Sequence, residues 1–210
     1  MSISNGGDST ERRYGGRTAD ERRAERRERL LDAGLELFGT IGYASSTIEG
    51  VCAEASLNAR YFYEQFRHRE DLLRAVYVRQ ARGVLEEVRA ALAAERDPRR
   101  RLEAGLRAFV GAMLRDERGM RIVYRESIGV SAALEAERRR VNDAYVALLS
   151  HEAAELTRLA SMPAEERRAI VIALMGATDG LVGDWLGGER RRPASSIVKT
   201  LLSIFGPTFG

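Results

Sequence analysis

Asn58, Arg60, Tyr61 and Tyr63 lie within six residues of one another, on a short stretch with no obvious core to enter. Arg can grip a base edge through two hydrogen bonds, and amphipathic side chains such as Tyr add contacts to phosphates and sugars. A short helix packed on one face and carrying these residues on the other suits the DNA major groove. Other chemistries find less support. The chain has two histidines, His68 and His151, and one cysteine, Cys52, with no C-x-x-C or H-E-x-x-H, so no metal site is expected. There is no G-x-S-x-G elbow and no Rossmann glycine fingerprint, and Val198 rather than Gly precedes Lys199, which rules out a P-loop. His68, between Arg67 and Arg69, reads as a solvated or phosphate-near side chain. No catalytic residue and no cofactor are expected, and the chain does not read as an enzyme.

Two helices joined by a tight turn would position the DNA-facing residues. The first runs from about Thr47 to Ala55, with Ser46 as N-cap and Glu49 as its capping-box partner. Ile48, Val51, Cys52 and Ala55 keep i, i+3, i+4, i+7 spacing, so Cys52 reads as a small hydrophobe on an inward face. Ser56-Leu57 breaks the run, and Asn58 caps the next helix. Before this pair, Leu30, Leu31, Ala33, Leu35, Leu37, Phe38 and Ile41 keep helical spacing, and Gly39 to Gly42 stops the helix. Phe66, Leu72, Leu73 and Val76 supply the remaining walls of a three-helix core.

The pattern Leu30-Leu31-x-Ala33-x-Leu35-x-Leu37-Phe38, then Gly42-Tyr43, then Ser46-Thr47-Ile48, then Tyr63-x-x-Phe66-x-x-Arg69-Glu70-x-Leu72 closely resembles the TetR family of bacterial transcriptional regulators. The resemblance covers residues 22 to 78 in detail and persists beyond them as helix number and layout. It departs at Ser56, where the family usually has Gly in the turn, and at Arg69, where it usually has Lys. Ser at a positive φ costs something relative to Gly, while Arg69 keeps the charge that would meet a phosphate. The expected DNA-contacting residues are Ser46, Thr47, Asn58, Ala59, Arg60, Tyr61, Tyr63 and Arg69. Of these, Arg60 and Tyr61 would face base edges, and Thr47, Tyr63 and Arg69 would meet phosphates.

Composition fits this class. The net charge is only +3, from 34 basic and 31 acidic residues, so DNA affinity must come from where charge is placed. A single cysteine excludes a disulfide framework within the chain. No apolar signal core is evident, and the apolar run 169–177 is too short to span a bilayer. The expected location is cytoplasmic, associated with the nucleoid.

The expected fold is all-α, about nine helices in three parts. Residues 1–19 form a flexible basic arm, 20–78 the helix-turn-helix DNA-binding domain, and 79–210 a C-terminal ligand-binding and dimerisation domain. Helix four runs from Arg69 to about Ala94 and links the two larger parts. Asp97-Pro98, Glu117, Ser131, Pro163 and Pro193 mark later helix starts. Ile197, Val198, Leu201, Leu202, Ile204 and Phe205 are expected to be buried. Helix faces nominate Phe109, Met113, Ile122, Tyr124, Tyr145, Met175, Asp179 and Trp185 for an effector pocket. Asp179, a charge inside an apolar helix, would either pair with an Arg across a dimer or orient a ligand's polar group. The resemblance implies that the last two helices make the dimer interface, with Leu181, Trp185, Val198, Leu201 and Phe205 as candidates. The implied function is a homodimeric, ligand-responsive regulator, a repressor released from a palindromic operator by a small molecule. The alternative is a DNA-binding regulator with a closed C-terminal core, responding to a protein partner or to no ligand.

Overall fold

The computed structural model describes residues 18–155, 157–188 and 193–208; the expected N-terminal arm lies almost wholly outside them. Every regular element among the described residues is helical. Helix α1 spans Ala19–Thr40 and begins with a capping box between Thr18 and Glu21. Helices α2 (Ile48–Glu54) and α3 (Ala59–Tyr63) follow, then α4 (Arg69–Ala94). The rest comprises α5 (Pro98–Arg115), α6 (Glu117–Arg121) running into a π-helical turn Ile122–Glu126, and α7 (Ala132–Ala154). A one-turn helix α8 (Thr157–Ala160), not separated in the sequence reading, precedes α9 (Ala164–Gly187) and α10 (Ala194–Phe205).

Leu30, Phe38, Val51, Phe62, Leu72, Leu73 and Val76 form the core of the head, each sealed from solvent. That core continues into Ile122 and Leu134, so the π-helical turn and α7 close it from the C-terminal side. Burial of these large side chains, each worth about 1.5–3 kcal/mol, holds the head to the rest of the molecule. Gly39 lets α1 seat on α6, because a Cβ there would stand 2.4 Å from Cβ of Arg118. A second core joins α5, α7, α9 and α10 through Leu106, Val110, Val146, Val171, Leu174, Ile197, Val198 and Leu201.

Several expectations need correction. Thr47, not Ser46, caps α2, its hydroxyl accepting from the Gly50 amide at 3.0 Å. Ser46 is buried and donates to the Gly42 carbonyl at 2.7 Å, because it closes the turn before the helix. Ile41 lies past the last turn of α1 and is exposed, as is Ile204 on the outer side of α10. Val198 and Leu201 point into the chain's own second core and offer no surface to a partner.

Candidate nucleic-acid interface and ligand cavity

The turn between α2 and α3 sets the geometry of α3, the candidate DNA-reading helix. Ser56 adopts φ of 51°, the left-handed conformation in which a side chain is strained. Arg29 of α1 offsets that strain, its guanidinium donating to the carbonyls of Ala55 and Ser56. Asn58 then caps α3, accepting from the Tyr61 amide at 3.3 Å. Phe62 is the anchor of α3 and is wholly buried, which turns Asn58, Ala59, Arg60 and Tyr63 outward, all exposed. Arg60 is tethered to Glu64 at 3.3 Å, so its guanidinium is held at the surface.

Tyr61 is half-buried and lies beneath the Arg26 guanidinium, 4.6 Å from its ring centroid. Arg69 stacks on Tyr43 at 4.3 Å, so its planar cation is held at the start of α4. Thr47 is exposed, with its hydroxyl engaged in capping. Ser46 is the member of the expected set whose side chain faces inward, and it has no route to DNA. His68 caps α4, its Nδ1 accepting from the Asp71 amide at 3.3 Å.

A cavity of about 360 Å³ lies among α4, α5, α7, α9 and the π-helical turn. Phe109, Met113, Tyr124, Tyr145, Met175 and Asp179 line it. Ile122 does not: its side chain turns the other way and is sealed in the core of the head. Trp185 also stands outside it, packed with Met113, Met120 and Val182 beside a groove between α9 and α10. The sequence reading missed Tyr77, Val84, Val88, Arg101, Arg138, Glu152 and Thr178, which are also among the walls. A signal existed for two of them. Tyr77 and Arg138 each interrupt an apolar stripe with a polar group, Tyr77 four residues from Leu73 and Ala81, Arg138 four from Leu134.

Most of the lining is apolar, with polar groups gathered at two places. Arg101 and Glu152 pair at 3.2 Å. The second group centres on Asp179, whose Oδ1 accepts from the Tyr124 hydroxyl at 2.6 Å. Desolvation raises the Asp179 carboxyl above its usual range, with the Tyr124 hydrogen bond and Arg138 opposing. Asp179 lines the cavity and as a residue is more than a third exposed, so its desolvation is partial. Burial likewise pushes Tyr77 up to about 12 and raises Tyr124 and Tyr145, with Asp179 adding to all three. No Arg is bonded to Asp179 within the described residues; Arg138 instead donates to the Val123 carbonyl and Ser127 hydroxyl, both at 2.8 Å.

The π-helical turn carries both cavity and head contacts. Tyr124 faces the cavity, while Glu126 accepts from the Tyr43 amide at 2.7 Å. Arg121 binds Glu126 at 2.9 Å and donates to the Thr40 carbonyl at 2.6 Å. Arg118 adds an ion pair to Glu36 at 2.6 Å. π-Helical turns occur often at functional sites, and this one touches both candidate sites.

Helix α9 is long and apolar enough, by composition alone, to cross a bilayer, yet only 22% of its apolar window is buried within the chain. One face packs on α7 and α10, whereas Ile172, Ala173, Gly176 and Gly180 stand open. Nothing lies within 4 Å of where a Cβ on Gly176 or Gly180 would be. Leu181, Trp185 and Phe205 are half-buried beside this face.

Residues 30–76 match the family model described as bacterial regulatory proteins, tetR family. Over 181 residues the chain is 26% identical to the HTH-type transcriptional activator FasR of Mycolicibacterium smegmatis, covering 84% of this chain and 80% of that one. Among solved structures, the fatty acid degradation regulator FadR from Bacillus halodurans aligns with a TM-score of 0.75 at 17% identity, over 85% of this chain and 93% of that one. FadR from Bacillus subtilis, solved in complex with stearoyl-CoA, aligns with a TM-score of 0.72 at 14% identity, over 84% and 96% of the two chains. At these identities the structural likeness establishes a shared fold.

Proposed function

Starting from a chain that belongs to the TetR family of transcriptional regulators, we propose that it is a ligand-responsive DNA-binding homodimer of the cytoplasm. It binds a pseudo-palindromic operator through two copies of α3 and is released when a small molecule fills the cavity. In this reading the boundaries at 20–78 and 79–210 separate a reading head from a sensing and dimerising body. Arg60 and the Tyr61 tip address base edges, Thr47, Tyr63 and Arg69 address the backbone, and Asn58 and Ala59 start the helix against it. The open face of α9 and the outer side of α10 meet their copies in the partner. Repression follows where the operator overlaps a promoter; the FasR relative is an activator, so the sign depends on operator position.

The observation that carries this reading is the two-residue step from Tyr124, in the cavity wall, to Glu126, which holds Tyr43 of the head. A ligand that displaces Tyr124 strains the segment that fixes the head's angle. The mostly apolar lining supports a ligand with a long hydrocarbon chain, and the B. subtilis FadR complex with stearoyl-CoA supports an acyl chain as that hydrocarbon. The cavity also favours this reading over a closed core.

Operator fragments selected from genomic DNA, titrated by fluorescence anisotropy with and without stearoyl-CoA, test the proposal. Ligand and DNA must weaken each other by the same factor, and linkage of this kind is commonly about 5–150-fold. In the same titration, Arg60→Ala loses discrimination at its base pair and about 1–3 kcal/mol of affinity. If saturating acyl-CoA binds yet leaves operator affinity unchanged, release by that ligand is wrong. If Arg60→Ala changes neither affinity nor preference, α3 is not the reading helix.

A further inference from the structure

The polar end of the cavity has more hydrogen-bonding capacity than the chain itself uses. Tyr124 satisfies one oxygen of Asp179, and no other donor reaches that carboxylate among the described residues. The hydroxyls of Tyr77 and Tyr145, and the Asn142 amide, also line the cavity without a hydrogen-bond partner among the described residues. Phe109 packs edge-on to Tyr145, with centroids 5.7 Å apart, which fixes that ring in the wall. Of the cations near this end, Arg138 is committed to the Val123 carbonyl, the Ser127 hydroxyl and Glu135, the last at 3.5 Å, and Arg89, near enough to act on Tyr145, is paired with Glu86 at 2.8 Å. What remains is a carboxylate oxygen, two phenols and the Asn142 amide, set among aromatic rings whose faces are electronegative.

Resting on the reading of this cavity as a ligand site, we propose that Asp179, Tyr124, Tyr77 and Tyr145 form a subsite for a nitrogen-bearing head group. An amine or an amide presents N–H donors to the free Asp179 oxygen, and the phenols accept or donate around it. A carboxylate head brings a second anion against Asp179 and leaves its lone pairs unmet, so the subsite discriminates against free acids. The apolar remainder of the cavity takes the hydrocarbon of the same ligand. Asp179 is thus a specificity-determining residue within a mainly apolar pocket.

Four probes of one chain length separate head from tail: decylammonium, decanamide, methyl decanoate and decanoate, each titrated calorimetrically into the full-length protein at pH 7.5. The expected order places decylammonium and decanamide first, methyl decanoate next and decanoate last, with about a tenfold gap between decanamide and its isostere decanoate, as a charge-assisted hydrogen bond supports. Asp179→Asn keeps an acceptor for Tyr124 and narrows that gap to about threefold or less, while methyl decanoate affinity stays within twofold. Tyr124→Phe, which frees the second Asp179 oxygen, retains the order. Equal binding of all four probes, or preference for decanoate through Arg138, overturns the subsite and leaves the cavity reading standing. Failure of every probe, methyl decanoate included, overturns the cavity reading itself.

Discussion

Ser56 and Ser46 show how one residue type serves opposite ends in ten residues of chain. Ser46 is buried and ties off the turn before α2, while Ser56 is exposed and carries the backbone through φ of 51°. A left-handed residue with a Cβ costs about 1–2 kcal/mol, and the two hydrogen bonds from Arg29 hold the turn in place despite it. Ser56→Gly removes the steric cost, though it also gives the unfolded chain more freedom to lose. The net expectation is a stabilisation of up to about 1 kcal/mol. A raised urea midpoint with an unchanged slope checks this; a lowered midpoint would show that the turn is not strained.

The decisive element is the pair formed by α6 and its π-helical turn, which contacts α1, the Tyr43 loop, α4 and the cavity together. Its fit against α1 depends on Gly39, where a Cβ would stand 2.4 Å from Cβ and 2.7 Å from Cα of Arg118. Backbone atoms cannot yield as a side-chain tip can, so Gly39→Ala must push α6 off α1. The expected loss is about 1–3 kcal/mol of stability, the usual cost of overpacking. Gly83→Ala is the matched control: its Cβ meets nothing within 4 Å, and removing a helical glycine stabilises by about 0.5–1 kcal/mol. Thermal melts of the two variants should therefore move in opposite directions. A common direction of shift would show that the α1–α6 contact is slack.

At the scale of the molecule, the open face of α9 is the feature a lone chain leaves unresolved. On α9, Ile172 is 48% exposed and two glycines have empty space above them, and on α10 Ile204 is 56% exposed. A second copy seated there would bring helix backbones close and bury the apolar residues. Gly176→Arg places a large cation on that face without touching the chain's own core. Light scattering should then report monomers, with operator affinity lost because one short recognition helix makes too few contacts. Leu201→Glu is expected to unfold the C-terminal core instead, since Leu201 has no exposed surface. A dimer that persists in Gly176→Arg, or a monomer in the unmodified protein, would refute this face as the interface.

Features that depend on neighbours along the chain were legible without the fold. Helical periodicity located α1 through α4, the Asn58 and Ser131 caps, and the Pro98 and Pro163 starts, because such signals act within one or two turns. The head pattern was legible for the same reason, its core residues being close in sequence and sharing one spacing. Tertiary structure decided which apolar faces meet which. Ile122 and Trp185 have the composition of cavity residues yet pack elsewhere, and Leu201 has that of an interface residue yet lies in a core. A helix of mixed polarity has several plausible inner faces, and only the angles at which its neighbours cross it choose among them. Asp179 shows both sides: its cost in an apolar helix was readable in one dimension, but its partner, Tyr124, is 55 residues away and is found only by folding.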